Sequence, residues 1–71
     1  MNIEHLVTMA NQIGDFFRSY PDQEQARKDI ASHLMKFWPP QMRQQIIQYM
    51  QDTPDNGLHP IVRSAIQEYM Y

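Results

Sequence analysis

Side chains that ionise, attack or coordinate are few in this chain, and their spacing is unhelpful. His5, His33 and His59 lie far apart. None stands in a metal-ligand motif with another histidine or a carboxylate. Asp29 and His33 are four apart, the spacing of a helical side-chain pair. His33 borders an apolar stripe, as a partly buried, hydrogen-bonded histidine would. His59 precedes Pro60, as a cap or turn residue would. Ser19, Ser32 and Ser64 lack the G-x-S-x-G setting of a hydrolase nucleophile. With no cysteine there is no disulfide, no thiol nucleophile and no sulfur ligand for zinc or an iron–sulfur cluster. No glycine-rich phosphate loop occurs. The expectation is a chain without catalytic residues, metal or cofactor of its own.

Residues suited to binding are more concentrated. Phe37-Trp38-Pro39-Pro40-Gln41-Met42-Arg43 gathers an aromatic pair, a methionine and an arginine about a double-proline corner. These types are enriched among interface anchors, and a rigid corner loses little entropy on docking. Trp38 either packs inward as part of an inter-helix turn or meets a partner. Arg43 needs an acceptor or solvent.

Four helical segments must position these residues. Ile3, Leu6, Ala10, Ile13 and Phe17, with Val7, recur at the helical period and predict a first helix from Ile3 to about Ser19, capped by Asn2. Met9 and Phe16 lie at the edge of its apolar arc. Gly14 falls inside the arc, where it marks either a close approach of another backbone or a tolerated weak point. Tyr20-Pro21 breaks the chain. Asp22 and Gln25 resemble a capping box opening a second helix to about Phe37, with a core stripe of Ala26, Ile30, His33/Leu34 and Phe37. Pro39-Pro40 ends it, and Pro40 suits the first position of a third helix to about Gln51. Met42, Ile46, Tyr49 and Met50 form one face of that helix. Asp52 to Gly57 is dense in turn residues. A fourth helix runs from near Pro60 to about Tyr69 on Val62, Ala65, Ile66 and Tyr69, with Leu58 as a hydrophobic staple.

The expected class is all-α: a single helical domain over residues 1–71, a small bundle of about four short amphipathic helices. At 71 residues such a core supplies only ~3–5 kcal/mol of net stability. Nine glutamines and six methionines fit the helical reading. Phe16, Met35, Trp38, Ile47 and Ile61 fall off the main faces. Together they point to a second apolar surface, or to a Trp38 folded over the open end of the bundle. Six lysines and arginines against eight acidic residues give a net charge of -2. That balance argues against nucleic acid, and the helices lack the basic faces of a membrane-surface binder. No apolar run approaches the roughly 18–20 residues of a membrane span. The amino terminus lacks a signal-peptide pattern, which makes the cytoplasm the expected location.

Three blocks of residues carry a family likeness. The first is Met9-Ala10-Asn11-Gln12-Ile13-Gly14 with Phe16-Phe17 and Pro21; the second is Ile30-Ala31, His33 and Phe37-Trp38 with Pro40, Met42 and Arg43; the third is Gly57-Leu58, Pro60, Val62-Arg63 and Ala65. The chain thereby resembles the delta subunit family of cytoplasmic NAD-dependent formate dehydrogenases over almost its whole length. The second block is the most specific. It departs from the family pattern Phe-Trp-Asp-Pro-Arg-Met-Arg at Pro39 and Gln41, losing one charge of each sign.

The resemblance implies a small non-catalytic subunit. In that family the large alpha subunit holds the molybdenum or tungsten bis-pterin cofactor and iron–sulfur clusters, and other large subunits hold flavin, further clusters and the NAD site. The delta chain would assist assembly, cofactor maturation or stability. Lacking a thiol, it would do so by binding. The expected partner is the alpha subunit, and the expected contact residues are Trp38, Pro40, Met42 and Arg43, with Phe16, Leu58 and Arg63. The alternative is an independent homodimeric helical adaptor or regulatory protein for an unrelated partner, hiding its second apolar surface against its own copy.

Overall fold

Residues 2–71 are described by a computed structural model consisting of four helices and their connections, with no strand among them. Helix α1 spans Ile3–Phe17. Asn2 opens it, its side-chain oxygen accepting the Glu4 N–H at 2.8 Å and so satisfying an orphan donor of the first turn. α1 stops two residues short of the expected Ser19. The Gln23 amide donates to the Arg18 and Tyr20 carbonyls, at 2.9 and 2.7 Å, and holds the turn that follows.

Helix α2 spans Gln23–Phe37, and Asp22 caps it by accepting from the Gln25 N–H at 3.1 Å. Only half of the capping box forms, because the Gln25 amide turns forward to Asp29, at 2.8 Å. Asp29 is therefore engaged by Gln25, while His33 packs on aromatic rings. Trp38 adopts an extended conformation, φ -89 and ψ 134, as a residue before proline must. Helix α3, Pro40–Asp52, and helix α4, Pro60–Tyr69, each begin on a proline, whose fixed φ suits the first helical position.

α2 lies along α4, and α1 packs against all three other helices. Leu6, Ala10, Ile30, Leu34, Ile46, Val62, Ala65 and Ile66 are buried completely between them. Close approach depends on small residues. Gly14 is the tightest case, since a Cβ there would overlap Val62 Cγ2 of α4. The crowding atom is thus a side chain, where a neighbouring backbone had been one expectation. One ion pair crosses the α2–α4 contact, Arg27 Nε to Glu68 Oε2 at 3.2 Å.

Between α3 and α4 the chain is held by asparagines. Asn56 is buried; its side chain donates to the Thr53 carbonyl and accepts from the Leu58 N–H, both at 3.0 Å. Gly57 takes a positive φ of 77°, open to glycine at no steric cost. Asn11 reaches across from α1, donating to the Gly57 carbonyl at 3.0 Å and accepting from the His59 N–H at 2.9 Å.

Three expectations about the core are corrected. Phe37, assigned to the α2 stripe, is 70% exposed, whereas Trp38, counted off the stripe, is 6% exposed and part of the core. Helical spacing places a side chain only while the helix continues. At Trp38 the backbone has left the helix, and the indole packs into the bundle. Leu58, expected at a partner contact, is likewise core at 5% exposure, because the asparagine-braced loop presents it inward.

Candidate protein-docking site

α1 and α2 end close together, and their last turns carry aromatic rings. Phe17 meets Phe16 edge-on at 4.9 Å and Tyr20 at 5.4 Å between ring centroids. It also faces His33 at 6.5 Å, and His33 in turn contacts Phe37 at 4.7 Å. The result is a continuous row, Phe16–Phe17–His33–Phe37, crossing from α1 to α2. Phe17 and His33 are half-buried, while Phe16 is 71% exposed and Phe37 70%.

Within this row lies an open cleft of about 370 Å³, lined by Met9, Gln12, Ile13, Phe16, Phe17, His33 and Trp38. Its walls are apolar apart from the Gln12 amide and the His33 imidazole. Such a cleft suits an apolar side chain presented by another protein, with two hydrogen-bonding groups to fix its orientation. Aromatic pairs of this geometry contribute about 0.5–1.5 kcal/mol each beyond burial, so the rings also brace one another.

The residues expected at the interface do not all converge here. Phe16 forms the rim and Trp38 an inner wall. Pro40 is exposed at the start of α3. Met42 is half-buried, packing on the core and lining a separate groove. Arg43 has found its acceptor inside the chain. Its Nη1 donates to the Met35 carbonyl at 2.8 Å and lies 3.6 Å from the Met35 sulfur. That carbonyl belongs to the last turn of α2, where helices leave acceptors unsatisfied and where positive charge is favoured. Leu58 and Arg63 lie outside the cleft. Arg63 is half-buried on α4 and forms no ion pair among the described residues.

His33, read as a stripe residue, and Phe37, read both as a stripe residue and as part of the anchor-rich stretch, are members of the row that the expected contact residues did not include. Met9 and Phe16, together at the edge of the α1 arc, were the available signal. Met35, whose carbonyl accepts from Arg43, is 49% exposed and adds to the apolar surface of α2.

A second groove, about 880 Å³, runs along α3 beside the end of the chain. It is formed by Gln41, Gln44, Gln45, Gln48 and Gln51, with Met42, Ile47, Met70 and Tyr71. His59 Nδ1 is covered from solvent without a regular hydrogen bond, 3.1 Å from Asp15 Oδ1. Among the described residues no cluster of histidine and carboxylate groups could hold a metal ion, and no helix is long and apolar enough to cross a membrane.

No curated protein and no solved structure matches the chain. A family model does, that of the NADH-dependent formate dehydrogenase delta subunit FdsD, over residues 5–66. The matched span reaches from the first turn of α1 into α4 and includes the whole aromatic row and the double-proline corner. With most of its length inside that match, the chain belongs to the NADH-dependent formate dehydrogenase delta subunit family.

Proposed function

We propose that this chain is a non-catalytic accessory subunit of a cytoplasmic NAD-dependent formate dehydrogenase, and that it acts by binding the large molybdenum- or tungsten-containing alpha subunit. The binding serves assembly, cofactor maturation or stability of the complex. The observation that carries the reading is the pair of phenylalanines, each about 70% exposed, flanking an apolar cleft in a chain of only 71 residues. Phe16, Phe37 and the cleft form the centre of the contact. Pro40, on the exposed corner beyond Trp38, extends it, and Trp38 contributes by supporting the cleft from within. Arg43 keeps the end of α2 in place beside it. Leu58 supports the fold, and Arg63 remains available to a carboxylate of the partner at the rim.

The test is capture of the alpha subunit on the tagged chain from cells expressing active enzyme, followed by affinity measurement with Phe16→Ser/Phe37→Ser. The large subunit is recovered with the native chain. The double variant keeps its helical circular dichroism and loses on the order of 2–4 kcal/mol of binding, roughly 30- to 1,000-fold. Failure to recover the large subunit, or unchanged affinity in the folded double variant, rejects the proposal. An independent adaptor would instead capture an unrelated protein and leave the dehydrogenase behind.

A further inference from the structure

Methionines are spread along the chain, and the fold exposes them unequally. Met50 is buried at 5% exposure, and Met9, Met42 and Met70 are half-buried against the core. Met35 is 49% exposed, and among the described residues it is the only exposed methionine. Its sulfur also has a charged neighbour. Arg43 Nη1, which donates to the Met35 carbonyl at 2.8 Å, lies 3.6 Å from Met35 Sδ. One guanidinium thus touches both the backbone acceptor and the thioether of the same residue. A thioether is a weak acceptor, whereas a guanidinium carries five N–H donors. Arg43 forms no ion pair among the described residues, so no carboxylate of the chain competes for those donors.

We propose that Met35 is a site of reversible oxidation, which takes one oxygen atom from a hydroperoxide and presents the resulting sulfoxide to Arg43. A sulfur lone pair attacks one peroxide oxygen, and the S–O bond forms as the O–O bond breaks. With hydrogen peroxide, the proton on the transferred oxygen passes to the departing hydroxide, which leaves as water. Sulfur is oxidised by two electrons, and the peroxide is reduced by the same two. The new oxygen is polar and partly negative. A guanidinium binds such an oxygen more strongly than it binds a thioether. Sulfoxide formed in a core disrupts packing. At Met35 it stays on the surface and strengthens a contact that already joins the end of α2 to α3. Methionine sulfoxide reductases reverse the change. Nothing in this chemistry depends on the docking role proposed above.

The test is treatment of the full chain with a small excess of hydrogen peroxide, followed over time by tryptic mass mapping. Met35 is the only methionine of the peptide Asp29–Lys36, which separates it from Met42. That peptide is expected to gain one oxygen several-fold faster than Met9, Met42, Met50 or Met70, each located by fragmentation. The circular dichroism stays native. In the singly oxidised chain the side-chain N–H resonances of Arg43 shift and exchange more slowly with water, and a methionine sulfoxide reductase restores the starting spectrum. Met35→Leu keeps the fold and abolishes this early response of Arg43 to peroxide. Oxidation of another of these four methionines as fast as Met35 overturns the proposal. So do Arg43 resonances that stay in place when Met35 alone is oxidised, or a loss of helical signal at that stage.

Discussion

Gly14 stands mid-helix, where alanine would be favoured by about 1 kcal/mol on propensity alone. Here the volume a Cβ needs is already held by Val62 Cγ2. Overpacking of a filled core costs roughly 1–3 kcal/mol and outweighs the gain in propensity. Gly14→Ala is therefore expected to lower unfolding free energy in urea. Val62→Ala in the same chain should restore part of the loss, because the two residues compete for one space; additive losses would contradict that. Trp38 belongs to the same scale. It sits in the core, and large-to-small replacement of such a residue costs about 3–5 kcal/mol. Trp38→Ala is expected to melt most of the isolated chain's helical signal. Any binding defect in that variant then reports loss of fold, which is why the exposed phenylalanines are the better probes of the contact.

At the scale of elements, the short helices are set by their ends. Asn2 and Asp22 cap the first two, and Pro40 and Pro60 start the others without a side-chain cap. The entry to α4 depends on a residue of α1. Asn11 holds Gly57 and His59 by one donated and one accepted hydrogen bond. Each is worth about 0.5–1.5 kcal/mol net. Asn11→Ala is expected to lower stability by about 1–3 kcal/mol. Amide hydrogen exchange at His59 should quicken, with little change in the middle of α2. Uniform acceleration across all helices would show that the clamp is no local device. The Arg43 contact with the end of α2 is similar in kind, a cross-element hydrogen bond that sets the corner beside the aromatic row.

For the whole molecule the controlling quantity is size. A chain of 71 residues with no disulfide holds a thin core, which supplies no more than about 3–5 kcal/mol of net stability. Among the described residues one ion pair joins two helices; partly exposed, it adds at most about 1 kcal/mol. Such a protein gains from any ligand that binds only its folded state. The isolated chain is expected to unfold at low urea concentration, and the midpoint should rise when the alpha subunit is added in excess. A chain already resistant to several molar urea, with no further shift, would show that its fold needs no partner. On this view the exposed rings of α1 and α2 are the part of its apolar surface that a 71-residue bundle leaves for another protein to cover.

The sequence by itself determined the helices. Their periods, asparagine and aspartate caps and paired prolines act over three or four residues, so bounds agreed with expectation to within two residues, and the family could be recognised from the same stretches. It also supplied the inventory, with no cysteine and few groups able to do chemistry. Only tertiary structure decided which apolar residues stay outside. A helical wheel ranks positions within one helix but is silent where the backbone leaves it, and there Trp38 turned inward while Phe37 remained in solvent. It could not show that Val62 fills the place of a Gly14 side chain, that Arg43 closes the end of α2, or that Phe16 and Phe37 share one row. Those relations join residues distant in the chain, and they exist only once the four helices have packed.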